Sequence, residues 1–183
     1  MKLWKKAAAV ALAAIMSLTL LTACGQQMMQ TEDFVHMVQR NLQKAEASST
    51  GGQSGLNLKV KAGEDYRKQA DFLLNKYVDA YEAWRATDPV LENEEPDVDK
   101  FLTAPEVGVG CEVWTYASKG KSNLITIQME LNDVARSMAD CLWRSAYMSG
   151  VTEKTITVAE KEVNGWYYLV AVSKVNVPEP LPW

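Results

Sequence analysis

The dipeptide Asn164-Gly165 lies between two apolar segments and constrains the fold more than any other feature of the sequence. Asn-Gly favours the two-residue turn that matches the twist of two antiparallel strands. The flanking segments, 155–163 and 166–175, are rich in β-branched and aromatic residues, which favour strands. The sequence therefore predicts a β-hairpin, and with it an antiparallel sheet near the carboxyl terminus.

Three segments carry an apolar residue every three or four positions, the spacing of an amphipathic helix. The first helix is predicted to begin at Thr31 and to end before Ser48, the second spans 64–86, and the third runs from Asn132 or Asp133 to about Ser149. Apolar residues alternate with others in 107–117 and 124–131, which predicts two further strands. We therefore expect an α+β fold.

Helices and one sheet can be combined in two ways here. We expect an α-β-α sandwich with one antiparallel sheet of three or four strands and helices packed on it. The same elements also resemble the cone-shaped α+β fold of nuclear-transport-factor-two proteins, which hold a small ligand or a partner. Helices on both faces of the sheet would indicate the sandwich, whereas helices confined to one concave face would indicate the cone.

The first 25 residues have the order of an export signal. Lys2, Lys5 and Lys6 precede a 15-residue uncharged run, which is short for a membrane-spanning helix. The run ends in Leu-Thr-Ala-Cys-Gly at positions 21–25, which resembles the bacterial lipobox. That resemblance implies cleavage before Cys24 and acylation of its sulfur, and hence a lipid anchor at the extracytoplasmic face of the cell membrane.

These features divide the chain into four parts. Residues 1–23 are the predicted lipoprotein signal peptide, 24–30 a lipidated tether, 31–176 a single α+β domain and 177–183 a proline-rich tail. Removing residues 1–23 takes away three lysines and leaves 16 basic against 23 acidic side chains. A balance this acidic argues against a nucleic-acid partner, since phosphate binding needs a basic face.

The residue types offer little support for catalysis. His36 is the only histidine, so a Ser–His or Cys–His pair has one possible base, and no sequence context supports it. No metal site or other cofactor is predicted, because too few cysteines and histidines remain once Cys24 is acylated. Cys111 and Cys141 could form a disulfide outside the cell or remain buried as thiols, and the sequence favours neither.

Several short motifs are similar to those of the CAP superfamily in its small bacterial SCP-like form. The segment 55–60 is similar to an early family motif, Gly110-Cys111-Glu112-Val113 to the family's Gly-Glu-Asn strand, and the helix around Trp143 to its tryptophan-ending helix. The resemblance covers about residues 33–175. It implies a cleft that in the family holds two histidines and two acidic residues, of which only Glu112 is present here.

A cleft without those titratable groups favours binding over catalysis. The candidate cleft residues are Glu112 as a hydrogen-bond acceptor and Trp143 and Tyr147 as flat contact faces. We therefore expect a lipid-anchored envelope protein whose domain binds an unidentified ligand or protein without catalysis. Two alternatives are a nuclear-transport-factor-two-like ligand or assembly module and a hydrolase that uses carboxylates alone, which would need Glu112 opposite another carboxyl group of raised pKa.

Overall fold

The computed structural model describes residues 31–50, 55, 57–87, 95–97, 99–107, 111–118 and 124–174. Their elements are, in chain order, α1 (Thr31–Thr50), β1 (Lys59–Ala62), α2 (Arg67–Ala86), a short 3-10 helix (Asp99–Phe101), β2 (Cys111–Ala117), α3 (Leu124–Ser149), β3 (Glu153–Val163) and β4 (Trp166–Lys174). The predicted signal peptide, Cys24, the tether and the proline-rich tail lie outside the described residues.

The four strands form one sheet in the order β1-β3-β4-β2. The β3–β4 and β4–β2 pairs are antiparallel, as predicted, whereas β1 pairs with β3 in parallel. The sheet is therefore mixed. No hairpin joins β1 to β3, and the long connection through α2, β2 and α3 lets the two strands run in the same direction.

The predicted hairpin is confirmed at the expected turn. Val163 pairs with Trp166, and the two turn residues have φ angles of 54° at Asn164 and 83° at Gly165. Two consecutive positive φ angles define the type I′ geometry, which an Asn-Gly pair adopts at low cost. This hairpin supplies the two central strands of the sheet.

Helices cover both faces of the sheet. Tyr168, Val170 and Val172 of β4 pack in one core with buried residues of α2. The alternate side chains of a strand point to the opposite face, where Leu169 and Ala171 are also fully buried, and α1 and α3 lie on that side. The layers are therefore α2, sheet, and α1 with α3, which confirms the α-β-α sandwich and differs from the cone.

The segment 124–131 is not a strand, as the sequence predicted, but the start of α3. Ile127 and Leu131 are buried and continue into Ala135, at steps of four residues, whereas Ile125 and Met129 are 70% and 68% exposed. The apparent alternation placed all four residues on one strand face. A helix separates them into a buried and an exposed pair, because only positions 127 and 131 face the sheet.

The helices α1 and α3 pack side by side. Phe34, Val38 and Leu42 form the buried stripe predicted for α1. The side-chain amide nitrogen of Asn41 donates to Asn132 Oδ1 of α3 at 3.2 Å. This hydrogen bond sets which turn of α1 lies beside which turn of α3. Among the described helices, none combines the length and apolar character that a membrane span requires.

Candidate functional site

A groove of about 400 Å³ lies between α1 and α3. Both helices contribute its lining side chains: Asn41, Lys44, Ala45, Ser48, Arg136, Asp140, Trp143 and Arg144. The α1 residues 44–48 face the α3 residues 136–144, and Asn41 lies beside Asn132, so the helices run in the same direction. The groove therefore runs along the carboxyl-terminal halves of both helices.

One of the three predicted cleft residues, Trp143, lines this groove, and a second, Tyr147, stacks on it. The rings of Trp143 and Tyr147, one helical turn apart on α3, are stacked with centroids 5.4 Å apart and planes inclined by 21°. Trp143 is partly buried, whereas Tyr147 is 66% exposed. The Trp143 indole nitrogen is buried and donates to no acceptor among the described residues. The pair thus combines an exposed ring face with an unpartnered donor.

The groove carries more positive than negative charge. Lys44, Arg136 and Arg144 line it together with one carboxylate, Asp140. Arg136 Nη2 lies 2.9 Å from the exposed Asp133 Oδ1, so its charge is partly balanced. No ion pair within 4.0 Å is formed by the side chains of Lys44 or Arg144 with other described residues.

The chain matches no family profile, no curated protein and no solved structure. The function therefore has to be argued from the groove and its surroundings, and the resemblance to CAP proteins stays a prediction.

The third predicted cleft residue, Glu112, does not line this groove as far as the described residues define it. It lies on β2 and points beneath α3, with Oε2 3.8 Å from Lys154 Nζ of β3. Lys154 is almost fully buried and donates to Ser145 Oγ at 3.1 Å and to the Lys174 carbonyl at 3.0 Å. The sequence placed Glu112 in the cleft only by resemblance, and its strand register directs it into the core instead.

Burial makes both charges of this pair unfavourable. It raises the pKa of Glu112, although the nearby Lys154 ammonium opposes the shift. It also lowers the pKa of Lys154, with Glu112 acting in the opposite direction. Glu112 Oε2 is buried without a hydrogen bond, so the pair is held together mainly by charge.

Among the described residues, the other carboxyl group whose pKa is raised is that of Glu160, and it does not face Glu112. Burial raises the pKa of Glu160, which accepts a hydrogen bond from the Tyr167 hydroxyl. Glu160 lies six residues along β3 from Lys154, the partner of Glu112, a span of about 20 Å at 3.3 Å per residue. The opposed pair that the carboxylate-only hydrolase needs is therefore not formed by these two residues.

The two cysteines of the domain are both free thiols and do not form the possible disulfide. Cys111 packs against the core on the α2 side of the sheet, where burial raises the pKa of its thiol. Cys141 is exposed on α3, which covers the other face. A disulfide requires α-carbons within about 7 Å, and the intervening sheet keeps these residues apart.

The remaining groups that the sequence singled out do not form a reactive site within the described residues. His36 is exposed on α1. No three His, Cys, Asp or Glu side chains in the described part of the chain are placed to hold a metal ion.

Sequence reasoning missed the charged residues of the groove and Lys154. Arg136, Asp140 and Arg144 are spaced by four residues, so they share a face of α3 with Trp143, and this spacing was a usable signal. Lys44 gave no comparable signal, because its place depends on how α1 packs on α3. Lys154 is buried only through tertiary contacts, and nothing in the surrounding sequence distinguishes it from a surface lysine.

Proposed function

We propose that the protein is exported, anchored through acylated Cys24 at the extracytoplasmic face of the cell membrane, and binds a small ligand in the groove between α1 and α3 without catalysing a reaction. The anchor is supported by the order of the first 25 residues: charge, a 15-residue uncharged run, then Leu-Thr-Ala-Cys. Two acyl chains hold a protein on a membrane, since each buried methylene contributes about 0.8 kcal/mol.

The binding function rests on one observation, the groove of about 400 Å³ beside the Trp143–Tyr147 stack. Small-molecule sites occupy roughly 300–1,000 Å³ and combine flat apolar faces with a few polar groups. Aromatic rings provide contact area at a low cost in side-chain entropy. The groove has both components, and its polar groups come from two helices that pack side by side on the sheet.

A non-catalytic role is supported by the chemistry of the groove lining. Its hydroxyl group belongs to Ser48, which donates at 2.8 Å to the Lys44 carbonyl of its own helix turn. The described lining residues include no histidine or cysteine that could serve as base or nucleophile. Binding a ligand needs none of these groups. A CAP-like domain remains part of this proposal, and the helices on both faces of the sheet support it.

A fragment screen by NMR tests the binding function. The indole N–H signals of Trp143 and Trp84 would be assigned with the variants Trp143→Phe and Trp84→Phe. Trp84 is a matched internal control, because its indole nitrogen is also buried without a partner but lies on α2, across the sheet. We expect fragments that shift the Trp143 signal and leave the Trp84 signal in place. A screen whose binders never shift the Trp143 signal would contradict the proposal.

Membrane fractionation of the full-length chain tests the anchor. The wild-type protein is expected in the membrane fraction, with an amino-terminal peptide that begins at Cys24 and carries acyl mass. Cys24→Ser should abolish the processing and the acyl mass, whereas Cys141→Ser, in the folded domain, should leave both unchanged. Recovery of an unprocessed, unmodified amino terminus from native membranes would overturn this part of the proposal.

A further inference from the structure

We propose that the ligand of the groove is a small oxyanion carried on a planar ring, such as a ring bearing a phosphate or carboxylate group. This inference rests on the proposed function and adds the chemical class of the ligand. The groove supplies two kinds of contact, cations in its lining and an aromatic stack beside it, and the ligand combines the two complementary parts.

Cationic side chains outnumber acidic ones in the lining of the groove. Three of the eight lining residues are Lys or Arg and one, Asp140, is acidic, so the lining carries a net positive charge in a chain with a net charge of −4. Lys44 comes from α1, and Arg136 and Arg144 come from α3, so the fold gathers them from distant parts of the sequence. Like charges held in one groove repel each other, and an anion bound between them removes that repulsion.

The cations of the groove differ in whether they are paired with a carboxylate. Arg136 is engaged with Asp133, whereas the side chains of Lys44 and Arg144 form no ion pair with another described residue. A guanidinium group presents a planar fork of donors that fits a carboxylate or phosphate, and an ammonium group adds a flexible point charge. Arg144 and Lys44 are therefore the side chains expected to hold the oxyanion.

The stacked rings of Trp143 and Tyr147 provide a surface for a planar ligand. Trp143 lines the groove, and the exposed ring of Tyr147 stacks on it. A planar ligand ring can pack against these rings in an offset arrangement. A simple inorganic anion would use only half of this site.

Three probes separate the two components of the ligand. Phenyl phosphate carries a ring and an oxyanion, benzyl alcohol carries a ring without charge, and glycerol phosphate carries the oxyanion without a ring and stands for a lipid headgroup or free phosphate. Titrations of the full-length chain in detergent micelles would follow the Trp143 and Trp84 indole N–H signals. We expect phenyl phosphate to bind at least tenfold more tightly than either other probe and to weaken as salt is added.

Variants of the cations test the assignment. Arg144→Ala and Lys44→Ala should each weaken phenyl phosphate binding by about tenfold, as expected for loss of a charge-assisted contact. Both positions are exposed, so the variants should fold normally. Lys68→Ala, an exposed lysine on α2 across the sheet, is the matched control and should bind like the wild type.

The outcomes distinguish this inference from the proposed function. Equal binding of benzyl alcohol at Trp143 would overturn the oxyanion but leave the groove as a binding site. Equal binding of glycerol phosphate would overturn the ring component. If no probe shifts the Trp143 signal while other fragments do, the ligand class is wrong and the binding function stands. If neither probes nor fragments shift it, both proposals fail.

Discussion

The two faces of the sheet differ in how their charged groups are paired and hydrogen-bonded. On the α2 face, the Arg85 guanidinium stacks 3.6 Å from the Trp166 ring centroid and donates to the Tyr168 hydroxyl. That hydroxyl donates to Glu82 at 2.6 Å, and Glu82 also accepts from Asn164 at 2.7 Å. The network joins α2 to the hairpin turn with its charges paired and hydrogen-bonded.

The face covered by α1 and α3 is less completely satisfied. Here Glu112 and Lys154 are buried 3.8 Å apart, and Glu112 Oε2 forms no hydrogen bond. Each face also has one buried indole nitrogen without an acceptor among the described residues, Trp143 on this side and Trp84 of α2 on the other. The difference teaches that α2 contributes a paired, hydrogen-bonded charge network to the stability of the fold, whereas the α1–α3 side contains a less completely bonded charge pair and, separately, the groove.

The largest effect should come from breaking the buried charge pair. Lys154→Met leaves the Glu112 carboxylate uncompensated in the core and should lower the free energy of unfolding by about 3–5 kcal/mol in urea denaturation. The double variant Glu112→Gln/Lys154→Met removes both charges and should recover much of that loss. A single-variant loss below about 1 kcal/mol would mean that Glu112 is hydrated or protonated, and the contrast between the faces would weaken.

A smaller loss is expected on the α2 face. Tyr168→Phe keeps the ring but removes the hydroxyl that joins Arg85 to Glu82, and should cost about 1.5–3 kcal/mol because both partners are charged. Tyr147→Phe, which removes the hydroxyl of an exposed ring, is the control and should change stability by less than about 0.5 kcal/mol. Equal effects of the two variants would show that the α2 network does not stabilise the fold.

The pH dependence of stability sharpens the comparison further. Burial raises the folded-state pKa of Glu160, so the folded chain favours the protonated carboxyl group and loses stability as pH rises from the unfolded-state pKa through the folded-state pKa. Glu160→Gln removes this loss and should gain stability relative to the wild type at pH 8 but not at pH 4. Asp79→Asn, at an exposed position of α2, is the matched control for removing one carboxylate. A Glu160→Gln difference that is constant between pH 4 and pH 8 would contradict the assignment.

The smallest effect on stability should come from the groove itself. Tyr147→Ala removes a ring that is 66% exposed and should cost less than about 1 kcal/mol, mostly from the lost stack on Trp143. Thermal unfolding measures this directly. A loss above about 2 kcal/mol would make the aromatic pair a structural element of α3 and remove one argument for binding.

The parts of the fold that depend on local signals were predictable from the sequence. The Asn164-Gly165 turn specifies its own backbone angles, and the stripe of Phe34, Val38 and Leu42 specifies a buried helix face. The strand β1 gave no such signal, because a four-residue Lys-Val-Lys-Ala segment is too short and too polar to show a pattern. The start of α3 was misassigned because Ile125 and Ile127, which favour strands locally, lie in a helix stabilised by its packing.

The site was predictable only where its residues are neighbours in sequence. Trp143 and Tyr147 are one turn apart on a helix, so their proximity follows from helical geometry. Lys44 reaches the groove through the packing of α1 on α3, some ninety residues away along the chain. Glu112 was misplaced because its position followed from a motif resemblance, whereas its surroundings depend on the register of β2 against β4.

The strand β1 is an edge strand of the sheet. Two backbone groups at or next to its outer edge are engaged by the Gln39 side chain of α1, whose Oε1 accepts from the Val60 amide at 2.8 Å and whose Nε2 donates to the Leu58 carbonyl at 3.2 Å. A side-chain amide thus occupies the position that a fifth strand would take. This contact therefore obstructs intermolecular β-pairing along part of the β1 edge.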